Sequence, residues 1–292
     1  MISLLLKLFF RVASWLPDGL AIALGCALGW FFDRILHWRR HRILAHLSLA
    51  FPELDAAALA RRRVAVYQHF GLLALEMLRL PGLTATQLLA RTEIRGGEHL
   101  AAARARGKGV LLLGAHVGNW EWALAGASRR GYPMHVISKE ARGRLGQQVM
   151  ESFRGSHGVC SVSRRGSVFQ LLRLLKRQAL IGFVLDQNMT ADEGIFVDFL
   201  GCAACTMPGL AVLAQRTGTP VVPVSFHRDA TLRRHIFTLF PAVPWETPPG
   251  LDQAAVIRHN TRGYTQLLEG MIRAHPEQWI WMHNRWKTRP PT

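Results

Sequence analysis

A chain of 292 residues, 49% hydrophobic, is long enough for one large α/β domain or two small ones with a substantial core. Its 36 Lys and Arg against 19 Asp and Glu leave a net charge of +17, which favours anionic partners: phosphorylated substrates, anionic lipid headgroups, an acidic carrier protein or nucleic acid. Four Cys, at 26, 160, 202 and 205, are too few and too irregular for a disulfide framework. Cys202-x-x-Cys205 has neither a second Cys pair nor a His at ligand spacing, so no metal site is expected, and two small buried thiols are the plainer reading.

Residues 1–32 are expected to form a membrane anchor. Gly19 to Phe32 carries no charge over 14 residues, short of the roughly 20 that cross a bilayer straight. Lys7 and Arg11 precede the run, and Arg34, Arg39, Arg40 and Arg42 follow it. The segment either spans once or lies as a helical hairpin in the interface with its cations on phosphates. A merely buried amino-terminal helix is the structural alternative. The heavier basic cluster behind the apolar run places the rest of the chain, 33–292, on the cytoplasmic side.

Residues 33–107 read as helical, without strand-like alternation. One helix is expected over Leu36 to Leu49, ended by Phe51-Pro52, and an amphipathic one over Ala56 to Arg79, stopped by Pro81-Gly82. Val110 to Leu113 reads as an interior strand. Gly114 and Ala115 let the chain bend, and Asn119 is a good N-cap for a helix running to Arg130 and stopped by Gly131. His116 at the strand end and Glu121 in the first helical turn can face one pocket. An imidazole base oriented by a carboxylate is what deprotonation of an alcohol requires. A structural His at a strand end fits the same spacing.

Downstream, strands are expected at Met134 to Ser138, Ile181 to Leu185, Val221 to Phe226 and Ile236 to Phe240. Helices alternate with them at Gly146 to His157, Ser167 to Gln178, Pro208 to Thr217 and Asp252 to His275. This alternation predicts an α/β domain with a central mixed, largely parallel sheet flanked by helices, and a site at the strand ends. Asp186-Gln187-Asn188 falls at that edge, where Asp186 could hold an Arg, cap a helix or bind a metal; without a second acid nearby, the first two are preferred. Thr206-Met-Pro208 reads as a Thr cap with Pro in the first helical turn. Arg154 is a candidate clamp for phosphate or carboxylate. The terminal run from His275 to Lys287 sets three Trp beside Arg285 and Lys287, which suits a lipid boundary, single-stranded nucleic acid, or a packed strand with Arg on Trp faces.

Four of these motifs occur together in a telling order: Phe51-Pro-Glu-Leu54, Gly114-Ala-His-Val-Gly-Asn-Trp-Glu121, Asp186-Gln187 with Phe199-Leu-Gly201, and Pro276-Glu-Gln-Trp-Ile-Trp-Met-His-Asn-Arg-Trp-Lys287. In this the chain resembles, over nearly its whole length, the bacterial lipid A late acyltransferases, the lauroyl/myristoyl-transferase group of the lysophospholipid acyltransferase superfamily. The resemblance implies an inner-membrane enzyme, its catalytic domain facing the cytoplasm. It would move a fatty acyl group from acyl carrier protein, as co-substrate and with no other cofactor, onto a hydroxyl of a lipid A precursor. His116 matches the family's base, Glu121 its orienting acid and Arg154 its arginine. Substrate contacts are expected from Arg154, Asn119, Asp186 and Gln187, and an oxyanion donor from Arg154 or the backbone near Gly118 and Asn119. Expected partners are acyl carrier protein, anionic membrane lipids and the phosphorylated glycolipid acceptor, with nucleic acid set aside. The nearest rival is acylation of a glycerophospholipid or another lysolipid or glycolipid with acyl-CoA or acyl carrier protein as donor. A serine hydrolase would want a Gly-x-Ser-x-Gly elbow, and the sequence has none.

Overall fold

Pro17 breaks the amino-terminal apolar stretch in two. In the computed structural model, which describes residues 2–138, 143–163 and 167–291, helix α1 (Ile2–Ser14) and helix α2 (Asp18–Arg34) meet at 106°. Among the described residues no single helix is long and apolar enough to cross a membrane, though this bent pair meets the length and composition together. Helix α3 (Arg40–Ala50) follows, and Asp55 caps the long α4 (Ala56–Arg79) by accepting from the Ala58 N–H. One face of α2 lies against α4 so closely that a Cβ on Gly71 would stand 2.1 Å from the Gly25 carbonyl oxygen. Other apolar side chains of the pair are bare: Phe9 on α1, Trp15 in the turn, Leu20, Trp30 and Phe31 on α2, and Ile35 just after it are all exposed.

The sheet begins earlier than the apolar runs suggest. After α5 (Ala85–Ala90), strand β1 (Thr92–Arg95) lies within the stretch expected to be wholly helical. Its Thr-Glu-Ile-Arg pattern has no apolar run because it is an edge strand, where charged side chains are normal. There follow α6 (Gly97–Arg104), β2 (Val110–Gly114), α7 (Trp120–Arg129), β3 (Met134–Ser138), α8 (Gly143–Gly155), β4 (Cys160–Ser163), α9 (Ser167–Lys176) and β5 (Leu180–Val184). The hairpin β6 (Ile195–Phe199) and β7 (Cys202–Thr206), helix α10 (Gly209–Thr217), strands β8 (Val221–Arg228) and β9 (His235–Leu239) and helix α11 (Gln253–Ala274) complete the order.

Seven strands form one sheet, β1-β9-β8-β2-β5-β3-β4, in which every neighbouring pair is parallel except β8 with β9. The expected mixed, largely parallel sheet flanked by helices is present. Alternate residues of β2 face opposite cores, as the two-residue period of a strand demands. Leu111 and Leu113 point into a core shared with α3, α4, α10, α11 and the carboxyl-terminal Trp residues, while Val110 and Leu112 point toward α6 and α7. The antiparallel hairpin β6–β7 stands apart from the sheet and carries Cys202 and the buried Cys205; all four cysteines are free. Thr206 does not cap α10, since Pro208 occupies the cap position without a side-chain bond and the Thr206 hydroxyl turns to the Ala204 carbonyl.

Candidate active site

Strand register brings the site together. β2 and β5 are parallel neighbours with Gly114 opposite Val184, so two residues further on His116 stands opposite Asp186. The chain leaves β2 through Gly118, whose φ of +64° and whose approach to β8 exclude any side chain: a Cβ there would lie 2.7 Å from the Phe226 carbonyl oxygen. Asn119 then caps α7, its side-chain oxygen accepting from the Trp122 N–H at 3.0 Å. That much follows the sequence expectation.

The partner of His116 does not. Asp186 Oδ1 accepts a hydrogen bond from His116 Nδ1 at 2.8 Å, and Asp186 Oδ2 accepts from the His116 backbone N–H at 2.6 Å and from Trp279 Nε1 at 2.8 Å. Asp186 is wholly buried, which by itself would raise its pKa, but the His116 charge and these three donors win and hold it at about 2. It is therefore a carboxylate that can only accept, and His116 must carry its proton on Nδ1. Nε2 is left as an acceptor, with the Gln187 side-chain amide donating toward it from 3.3 Å. The ring edge of His116 is fixed against Trp120, with centroids 4.7 Å apart at 81°.

Glu121 corrects the expected pairing. Its carboxylate has no bond to His116; one helical turn away, it takes the guanidinium of Arg154 through Nη2 at 2.7 Å and Nε at 3.2 and 3.3 Å. The cap at Asn119 aims Trp120 at the imidazole and Glu121 toward α8, where Arg154 sits on the last turn. Arg154 also donates to Ser161 Oγ at 3.1 Å. Of the four residues expected to touch substrate, Arg154 lines the cavity described next, and Gln187 is exposed beside His116. Asn119 is instead buried, bonding Glu76 Oε2 at 3.0 Å while it caps the helix, and Asp186 faces the imidazole. Nor is the Gly118 N–H free for an oxyanion, because it donates to the Gln278 carbonyl at 3.0 Å.

His116 lines a pocket between the sheet and α7 that is partly open to solvent, with about 630 Å³ of empty space when the open part is counted. Apart from His116 and Arg154 its walls are apolar, with Leu112, Val136, Val224 and Phe226 rising from the sheet and Leu124 closing from α7. Gly114 and Gly182, on adjacent strands, leave the floor open where side chains would otherwise stand.

Sequence reading missed the brace behind this site. Trp279, Trp281 and Trp286 are buried, not displayed to lipid or nucleic acid, and the run that holds them is turns and not a strand. Arg285, fully buried, donates to the carbonyls of Gln187 at 3.0 Å and Cys205 at 2.6 Å, and lies over the Phe199 ring and not over a Trp. Burial lowers its pKa to about 10, still charged at neutral pH. The Asn188 N–H donates to Nε2 of His283 at 3.0 Å. A second brace comes from α4: Glu76 pairs with Arg228 and His235 and receives the Asn119 amide. The available signal for Asp186 was positional, since it stands as far beyond β5 as His116 does beyond β2.

A buried carboxylate–imidazole pair at the strand ends, beside an apolar cavity, is an arrangement suited to general-base chemistry. Family comparison makes this specific. Residues 1–288 match the family model for bacterial lipid A biosynthesis acyltransferases, and the chain belongs to that family; it is an acyltransferase. It is 23% identical to a lipid A biosynthesis acyltransferase of Haemophilus influenzae over 96% of this chain and 86% of that one. It is also 24% identical to the lipid A biosynthesis lauroyltransferase of Escherichia coli, over 94% and 88% respectively. Similarity extends to a phosphatidylinositol mannoside acyltransferase of Mycobacterium tuberculosis, 26% identical over 72% of this chain and 66% of that one.

Proposed function

We propose that this protein transfers a fatty acyl group from an acyl carrier protein thioester to a hydroxyl of a lipid A precursor at the cytoplasmic face of the bacterial inner membrane. The observation that carries this reading is that Asp186 accepts from Nδ1 of His116, which leaves Nε2 as the acceptor of the neutral ring, in a residue that lines an apolar cavity. The acyl chain lies in that cavity with its thioester carbonyl beside His116. Nε2 takes the proton of the acceptor hydroxyl as its oxygen forms the new bond to the carbonyl carbon; Asp186 stabilises the imidazolium that results. The carbon–sulfur bond then breaks, and the imidazolium returns the proton to the departing thiolate, leaving an ester and a free thiol. Binding both substrates at once supplies the proximity, so no acyl-enzyme is required. Arg154, oriented by Glu121, supports the developing oxyanion with a fixed positive charge. The exposed apolar face of α1 and α2 lies in the interfacial layer of the membrane and delivers the lipid substrate to the site.

The test is an assay of purified full-length protein with acyl carrier proteins of several chain lengths and a tetra-acylated lipid A precursor. Transfer that disappears in His116→Ala supports the reading; transfer undiminished in that variant refutes it. A second acceptor class, a glycosylated phosphatidylinositol, is favoured by the mycobacterial similarity, and the same assay with that lipid separates the two.

A further inference from the structure

Beside the catalytic loop lies a second cleft, with about 930 Å³ of empty space, whose charge the transfer step does not use. One wall is Asn188, directly after Gln187; another is His283, which accepts from the Asn188 N–H; the rest includes Arg39, Arg42 and Lys287, with Glu193 as the acid. Among the described residues none of the three cations has a carboxylate within ion-pair distance. Arg39 and Arg42 each donate one Nη1 bond to the Met282 carbonyl, at 2.9 and 3.4 Å, which fixes both guanidinium groups while leaving other donors unused. His283 adds no charge here, because burial drives its pKa down to about 4 against the opposing pull of Asp186, with His116 and Arg285 adding to the fall.

Two further observations bear on what the cleft receives. The backbone of Arg39 is left-handed, with φ at 58°, as is that of His37 at 49°; a non-glycine residue held there costs on the order of 1 kcal/mol or more and persists where the surroundings require it. That geometry turns the chain directly after α2, whose end exposes Trp30, Phe31, Ile35 and Leu36 at 58, 41, 55 and 52%. Apolar side chains followed within a few residues by arginines mark the level at which acyl tails give way to headgroup phosphates.

We infer that the cleft between Arg39, Arg42 and Lys287 is a binding site for a phosphoryl group on the lipid acceptor, which anchors the acceptor headgroup while its hydroxyl reaches His116. This rests on the acceptor being a lipid, as proposed above, and goes beyond it in naming the group recognised and the residues that recognise it. Planar guanidinium forks suit a phosphate monoester, and the cleft sits at the apolar end of α2 where a lipid, not a soluble thioester, presents its charge.

The experiment compares two acceptors, the phosphorylated precursor and the same lipid after enzymatic dephosphorylation, in wild type, Arg42→Ala, Lys287→Ala and Arg42→Lys, with thermal unfolding as the check on folding. Wild type should prefer the phosphorylated lipid by about 10- to 100-fold in kcat/KM, the size expected for one charge-assisted bond. That preference should shrink toward unity in the alanine variants and partly return in Arg42→Lys. A preference unchanged by the substitutions, or a rise confined to the KM of the thioester, overturns the assignment. A second arm separates this from failure of the transfer reading. With His116→Ala protein and no donor, vesicles of neutral lipid doped with the phosphorylated precursor should bind more tightly than vesicles doped with the dephosphorylated one, and Lys287→Ala should abolish the difference. Equal binding of the two vesicles overturns the site whatever the catalytic result.

Discussion

Replacing Asp186 by Asn exchanges one oxygen for an NH₂ group, and the surroundings dictate which. Oδ2 receives two N–H donors, from the His116 backbone and the Trp279 indole, so that position must remain an acceptor. The amide nitrogen is then forced into the place of Oδ1, facing His116 Nδ1. A donor there requires Nδ1 to accept, and the ring proton moves to Nε2, where it removes the base from the cavity. Flipping the amide to restore the working tautomer would set NH₂ against two buried donors, at about 1–3 kcal/mol each. At 1.4 kcal/mol per factor of ten, the competent tautomer falls between about 30-fold and about 10⁴-fold. The loss should appear in kcat and leave the KM of the acyl thioester nearly unchanged, because the cavity walls are untouched. Nitrogen NMR of the His116 ring gives an independent reading, with the proton on Nδ1 in wild type and on Nε2 in the variant. An Asp186→Asn protein that turns over within threefold of wild type, or keeps the Nδ1 tautomer at lower activity, would show that Asp186 does not set the base.

The ion pair between Glu121 and Arg154 predicts a different pattern. Arg154→Lys cannot reproduce the paired contacts and should lower kcat about 10²-fold, the cost of losing one oxyanion donor, with thermal stability little changed; a fall in melting temperature without a fall in kcat would make Arg154 structural. Gly182→Val should shift preference along a series of acyl carrier thioesters toward shorter chains, because the new side chain stands on the cavity floor beside Val136; unaltered relative rates would place the chain elsewhere. Acid should unfold the protein through its buried carboxylates. Asp186 at about 2 and Glu76, held well below the usual carboxylate range by His235 and Arg228 against the cost of burial, both have folded-state pKa values beneath their unfolded ones. Their stabilisation is complete above about pH 5 and is lost progressively as pH falls below that, for Asp186 through about 2; its full amount for Asp186 is about 2–3 kcal/mol at 1.4 kcal/mol per pKa unit. Asp186→Asn should flatten that part of the acid denaturation curve, and an unchanged slope would contradict the linkage.

What the sequence made legible, and what it hid, divides along one physical line. Local signals were sufficient where an element is fixed by its own residues. Val110 to Leu113 is a buried strand because nothing in it can face water, and Asn119 caps α7 because its side chain reaches the Trp122 N–H. Elements that owe their state to neighbours were hidden: β1 and β4 are four residues each at opposite edges of the sheet, and β6 and β7 form a separate hairpin of small and aromatic residues. The site itself shows the distinction best. His116 could be picked out because its motif is contiguous, and the contiguous acid, Glu121, was the natural partner to assign. In the folded chain, however, adjacency across a parallel sheet outranks adjacency along the chain, so the carboxylate 70 residues away in sequence sits at 2.8 Å while the one five residues away serves Arg154. The carboxyl-terminal Trp residues illustrate the same principle from the other side. Aromatic side chains beside cations suggest a surface by composition, yet Trp279 and Arg285 spend their donors on the Asp186 carboxylate and the Gln187 carbonyl, which makes this run part of the scaffold of the candidate site. A His-x4-Glu spacing in such a sheet is thus better read as two neighbouring half-sites, one built on the strand and one on the helix, than as a pair.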